Sequence, residues 1–315
     1  MSVSSAWIIA EQDPDRLGLI SADGQSISYQ TLTQKSNQYA RAMQSAGLSA
    51  GDRIAVIMRN TPTTVELILA VMQSGMYLVP INYHSTANDI AYIIKDSDAQ
   101  AVFTDLEFST QCREALDEIN YLSSRRFCSG ATPGFIDCES WCQNFPVDRP
   151  TPTRAGAVMN YTSGTTGHPK GILRPLRDVD ADTGANLQTW ILSVFGVGTG
   201  PGAHLVNSPL YHTAVMNVGF AALHSGQTMV LMNEWDPELA LQLIEQYRIS
   251  STHMVATHFH RFLSLPEEVR ERYDHSSLTH VMHGAVPTPV DIKQKMLKWW
   301  GPVIYVYYGS SAFVA

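Results

Sequence analysis

Residues 161–171 read Tyr-Thr-Ser-Gly-Thr-Thr-Gly-His-Pro-Lys-Gly, the densest chemistry in the chain. Thr162, Ser163, Thr165 and Thr166 offer hydroxyls, Gly164 and Gly167 let the backbone turn and present its N–H groups, and Lys170 adds a positive charge. Donors gathered without a carboxylate suit a polyphosphate. The spacing is not that of a Walker loop, because the place of its second glycine falls on Pro169. A flexible Ser/Thr/Gly linker is the plainer alternative. Ala157-Val158-Met159-Asn160 reads as a short strand ahead of the stretch, and Pro169-Lys170-Gly171 as a rigid close behind it. A loop leaving a sheet edge therefore fits better than a linker.

Three further stretches follow predicted strands, where ligands gather in α/β sheets. Ser208-Pro209-Leu210-Tyr211-His212 precedes an apolar helix, which His212 could instead simply cap. His283-Gly284-Ala285-Val286-Pro287 has residues small enough for a flat base to lie against backbone, and Tyr307-Tyr308-Gly309-Ser310-Ser311 closes the series. His253, His258 and His260 invite a metal reading, but a strand-to-helix change between them argues against convergence. Cys138 and Cys142 have no histidine nearby to complete a zinc site, so the four cysteines read as free thiols. No Gly-x-Ser-x-Gly elbow supports a hydrolase.

These groups need a large scaffold, and 315 residues provide one large or two ordinary domains. With 44% hydrophobic and 16% charged residues the chain is of globular composition, and a net charge of −8 argues against nucleic-acid or anionic-membrane surfaces. No signal peptide is visible at the N-terminus. Residues 214–233 carry no charge, yet Asn217, Gly219, His224, Ser225, Gly226 and Gln227 interrupt them, so they read as helix–turn–strand, not as a membrane span. A cytoplasmic location is expected.

A hairpin around Asp23-Gly24 is followed by a helix through Leu32, Ser36, Tyr39 and Met43. Buried strands at 54–58, 77–80 and 101–103 alternate with helices opening at Pro62 and Ala87. Residues 106–144 are weakly patterned, and the Pro-rich 145–153 reads as a connection between units at about 1–150 and 151–315. The second unit alternates again: a helix marked by Leu187, Trp190, Ile191 and Val194, strands at 203–206, 251–255, 278–282 and 303–307, and helices opening at Pro237 and Pro289. Alternation of helices with continuous apolar strands predicts an α/β fold with helix-covered sheets.

Residues 162–171 resemble the phosphate loop of the acyl-adenylate-forming (AMP-binding) superfamily, which contains acyl-CoA synthetases, peptide-synthetase adenylation domains and luciferases. Residues 69–82 resemble a second family region. The surroundings of Pro209-Leu210-Tyr211-His212 and Thr257-His258-Phe259-His260 are most similar to fatty-acid–CoA ligases. The resemblance implies two helix-covered, mainly parallel sheets of a large N-terminal domain, ending before the barrel is complete and without a C-terminal lid domain. It implies ATP with Mg2+, CoA as co-substrate, and a small-molecule carboxylic acid, fatty or similarly apolar. Thr162, Ser163, Gly164, Thr165, Thr166, Gly167 and Lys170 would hold phosphates; Gly284, Ala285, Val286 and Tyr308 would hold adenine, with Gly309, Ser310 and Ser311 continuing to the α-phosphate. His212 would flank the channel where acyl group and thiol meet, with Tyr211, Thr257 and His258 at the acyl pocket. The family motif continues with a magnesium-binding glutamate where this chain has Ala312. The expectation is thus a truncated synthetase, impaired in isolation. The alternative is a non-catalytic nucleotide- or acyl-binding remnant, or an interaction fragment that docks on a full-length homologue; the surface left uncovered would also support self-association.

Overall fold

The computed structural model describes residues 3–162, 169–284 and 287–308. Its chain divides into two compact units, Gln30–Ala185 and a second made of Met1–Tyr29 with Asn186–Ala315. Each unit is built on a helix-covered, mainly parallel sheet, as expected for an α/β chain.

In the first unit six parallel strands run in the order Ile136–Asp137, Arg126–Ser129, Ala101–Asp105, Arg53–Ile57, Tyr77–Pro80, Ala157–Val158. The central strands are buried over most of their length, which explains their unbroken apolar runs. Local chemistry sets the helix ends. Thr61 accepts from the Thr64 N–H ahead of Pro62, and Thr86 with Asp89 forms a reciprocal capping box at Ala87–Ser97.

The weakly patterned stretch 106–144 proves to hold a helix, Ser109–Glu118, and the strand Arg126–Ser129. Its pattern is hidden because the strand begins on a buried arginine, whose guanidinium donates to Asp117 Oδ1 and to the carbonyls of Leu116 and Tyr121. All four cysteines are buried and free. Burial pushes the Cys112 and Cys142 thiols up to about 11 and Cys128 to about 12, so none is a ready nucleophile.

The other unit carries seven strands in the order Ile304–Val306, His280–His283, Ser251–Met254, Ala203–Val206, Thr228–Leu231, Leu17–Ile20, Ser26–Ser28. All neighbours are parallel except the last pair, the predicted hairpin. The N-terminal residues thus complete a sheet whose other strands lie after residue 200, with Leu19 beside Met229. One face packs Leu205, Met254, Phe259, Phe262, Val281 and Trp300; the opposite face packs Met282 against Leu192, Val218 and Ala221. Residues 214–233 form the predicted helix–turn–strand, and among the described residues no helix is long and apolar enough to cross a membrane. In the helix Ala181–Val194 the marking residues Leu187, Trp190 and Val194 are exposed, while Ala181, Ala185 and Leu192 are buried.

Tyr29 ties the N-terminal hairpin in place. Its ring packs on Gly18, where a side chain would meet it at 3.2 Å, and its hydroxyl lies 2.6 Å from the Leu223 carbonyl and 2.8 Å from that of Gln227. Tyr29→Phe is expected to cost about 1–2 kcal/mol, read as a lower urea midpoint with an unchanged slope. A midpoint equal to wild type contradicts this role.

Candidate functional site: a hairpin neck and a set of strand-end loops

The expected strand before residue 161 is real, and it sits at a sheet edge. Ala157–Val158 pairs with Tyr77 and Leu78 on the outer side of the six-stranded sheet. The chain then enters an antiparallel hairpin, Asn160–Thr162 with Lys170–Ile172, in register Thr162 opposite Lys170 and Gly171 opposite Tyr161. The two ends of the donor-rich stretch are therefore held side by side by backbone pairing. Ser163, Gly164, Thr165, Thr166 and Gly167 lie outside the described residues.

Two tyrosines hold this neck against the helix Ala87–Ser97. Tyr161 donates to Asp96 Oδ2 at 2.6 Å, and Tyr92 donates to the Pro169 carbonyl at 3.2 Å. Burial, reinforced by the Asp96 carboxylate, raises the pKa of the Tyr161 phenol, so it stays a donor. Gly171 is required by close approach. A Cβ there would come within 2.6 Å of Met159 Cε and 2.8 Å of Tyr161 Cζ. Lys170 itself is exposed, free to meet an anion.

The other described candidates, Tyr211, His212, Thr257, His258, Gly284 and Tyr308, lie in the segments that follow the carboxyl ends of strands in the seven-stranded sheet. His212 is the residue before the helix Thr213–His224, but its side chain makes no capping bond, so simple capping does not account for it. Its ring lies 4.4 Å from that of Tyr211. It is exposed at its edge, yet the surrounding protein holds its pKa below the ordinary imidazole value. Thr257 is exposed, whereas His258 is buried and partly spoken for. His258 Nδ1 accepts from the Val255 N–H at 2.9 Å, so Nε2 carries the proton and faces Ser208 Oγ at 3.2 Å. Burial lowers its pKa to about 4 and that of His253 to about 3, with His212 and His283 adding mutual repulsion. These imidazoles are neutral at physiological pH.

Gly284 is buried and Tyr308 is fully exposed; Ala285, Val286, Gly309, Ser310, Ser311 and Ala312 lie outside the described residues. No group of three His, Cys, Asp or Glu side chains able to hold a metal occurs among the described residues. Sequence reasoning missed the tyrosine pair on the hairpin neck and the contacts of His283, Thr288 and Tyr307. A tyrosine at the end of a strand was the available signal, but its partners are distant in sequence.

The family model described as AMP-binding enzyme matches residues 7–312. The chain belongs to the AMP-binding enzyme family. Among curated AMP-binding relatives, the feruloyl-CoA synthase of an Amycolatopsis species is 27% identical over 279 residues, 87% of this chain and 52% of the relative. The long-chain-fatty-acid–CoA ligase of Bacillus subtilis (strain 168) is 26% identical over 335 residues, covering 96% and 58%. The chain thus spans about half the length of the curated relatives it matches. The amide bond synthetase McbA from Marinactinospora thermotolerans superposes with a TM-score of 0.81 at 22% identity, covering 97% of this chain and 60% of that one. At that identity the likeness shows a shared fold.

Proposed function

We propose that the chain carries the nucleotide-handling part of an ATP-dependent acid–thiol ligase of the acyl-CoA synthetase type. In that chemistry a carboxylate oxygen attacks the α-phosphorus of ATP, pyrophosphate leaves, and an acyl-AMP forms. The thiol of CoA then attacks the acyl carbonyl, and AMP leaves with the bonding electrons. The observation that carries the reading is the hairpin neck. Thr162 and Lys170 are paired across it within the family-matching residues, so hydroxyls, glycines and a lysine issue from a held base.

In this reading Thr162, Ser163, Gly164, Thr165, Thr166, Gly167 and Lys170 engage the β- and γ-phosphates. Gly284, Ala285, Val286 and Tyr308 hold adenine, with Gly309, Ser310 and Ser311 next to the α-phosphate. His212, Tyr211, Thr257 and His258 border the acyl group. The likeness of Pro209-Leu210-Tyr211-His212 and Thr257-His258-Phe259-His260 to fatty-acid–CoA ligases favours a fatty or similarly apolar acid. A cytoplasmic setting, where ATP and CoA are both at hand, fits this reading.

Magnesium enters as part of MgATP. Ala312 offers only a methyl group where the family resemblance expects a carboxylate, and a hard cation needs oxygen ligands. No step is therefore assigned to a protein-held metal. The missing carboxylate supports a second reading, a nucleotide- or acyl-binding protein that does not catalyse. Carboxylate-dependent exchange of pyrophosphate into ATP separates the two when read beside ATP binding by calorimetry. Binding with exchange slower than that of a synthetase bearing the metal-binding carboxylate by about 100-fold or more is expected. Exchange at an ordinary enzymatic rate overturns the impairment, and absence of ATP binding overturns the nucleotide reading.

A further inference from the structure

His253, next to last in the strand Ser251–Met254, and His283, last in the neighbouring strand His280–His283, lie on opposite faces of the seven-stranded sheet. His253 lies beside Met282, and Met254 beside His283, so the two side chains of each strand end alternate between the faces. His283 is buried and doubly bonded. Its Nδ1 lies 3.0 Å from the Met254 carbonyl oxygen, which can only accept, so Nδ1 carries the proton. Its Nε2 then presents a lone pair, and Thr288 Oγ1 donates to it at 2.5 Å. One ring thus ties the strand Ser251–Met254 to Thr288, two residues ahead of the helix Val290–Trp300.

Tyr307 makes the matching connection on the other face. Its backbone N–H donates to the His283 carbonyl at 3.0 Å. Its hydroxyl lies 2.9 Å from His253 Nε2. Its ring covers Gly284 so closely that a Cβ on that glycine would sit 2.5 Å from the ring. Gly284 is therefore pinned between His283 on one side in sequence and the Tyr307 ring above it. The next residue, Tyr308, leaves this anchored point with its side chain wholly exposed.

We infer that His283, Thr288, Tyr307 and His253 are positioning residues that hold Gly284 and Tyr308 ready for the adenine of ATP. The inference rests on the nucleotide reading above and deepens it by naming side chains that need not touch the nucleotide. The physical reason is preorganisation. A base stacked between a glycine backbone and an aromatic ring gains little if both must first be ordered, because ordering costs free energy that would otherwise appear as affinity. The bonds of His283 to Met254 and Thr288, and of Tyr307 to His283 and His253, fix in advance the backbone that carries Gly284 and delivers Tyr308.

The test compares Thr288→Val and Tyr307→Phe with wild type, each titrated calorimetrically with MgATP and, separately, with tripolyphosphate. Thr288→Ser serves as the rescue that keeps the hydroxyl. Both disabling variants should bind MgATP roughly tenfold more weakly and tripolyphosphate as wild type does, while Thr288→Ser keeps both affinities. Hydrogen exchange on the nucleotide-free variants should quicken at the Tyr307 amide and leave the strand Ala203–Val206 protected, which excludes general unfolding. Unchanged MgATP affinity in both variants overturns the inference alone, as does equal loss of MgATP and tripolyphosphate. A wild-type protein that binds no MgATP removes the nucleotide reading and this inference with it.

Discussion

Lys170→Ala is expected to weaken MgATP binding by about 10- to 100-fold while leaving AMP binding unchanged. The estimate follows from the roughly 1.5–3 kcal/mol of a hydrogen bond to a charged group. The differential follows from placement. Lys170 is exposed and sits opposite Thr162, where the proposed contacts are to the β- and γ-phosphates that AMP lacks. Hairpin pairing uses backbone groups, so alanine at this position keeps the neck closed. Tyr161 and Tyr92 continue to clasp it. Lys170→Arg should recover part of the loss, since the charge returns in a different shape. Calorimetric titration with both nucleotides decides the matter; equal loss of ATP and AMP, or loss of neither, contradicts the assignment.

Glu66→Gln should stabilise the fold above neutral pH by about 3 kcal/mol, the free-energy equivalent of its pKa displacement. Glu66 lies buried on the helix Pro62–Gln73, and burial pushes its carboxyl from the ordinary 4.5 up to about 7, with Lys35 partly opposing. The folded state therefore binds a proton between about pH 4.5 and 7 that the unfolded chain has released. Stability contributed by keeping the group neutral is full below this window and is lost as pH rises through it. Asp105, pushed up to about 6 by its own burial, adds to the same slope. Glutamine preserves shape without ionising. Urea unfolding at pH 8 should show the large gain and at pH 4.5 almost none. A gain of equal size at both values would mean that charge is not the cause.

Much of this architecture was legible because its signals are local. Thr61-Pro62 and Asp236-Pro237 announce helix starts through bonds made within three residues, and each is found there. The edge strand before residue 160 and the turn at residues 214–233 were readable for the same reason. Pairings between distant segments were not. Nothing in Leu17–Ile20 specifies Thr228–Leu231 as its neighbour, since any buried parallel strand offers the same apolar edge. The stripe of Leu187, Trp190 and Val194 marks a helix correctly, yet those side chains are exposed, because small residues such as Ala181 and Ala185 form the buried side.

The candidate site divides in the same way. Thr162 and Lys170 stood out by residue type, but their pairing across a hairpin neck is a fact of register. His258 was singled out as a pocket residue, and half of its hydrogen-bonding capacity is spent capping its own helix at Val255. Conversely, Thr288 reads from the sequence only as the opening of a helix with Pro289, and its bond to His283, itself held by a carbonyl on another strand, is not visible there.

The account turns on where a triphosphate settles. Hydrogen–deuterium exchange across residues 158–174, with and without saturating MgATP, reads that location directly. Slowed exchange centred on the hairpin Asn160–Thr162 and Lys170–Ile172 is the predicted result. ATP binding that protects other segments and leaves this hairpin exchanging at its nucleotide-free rate would contradict it.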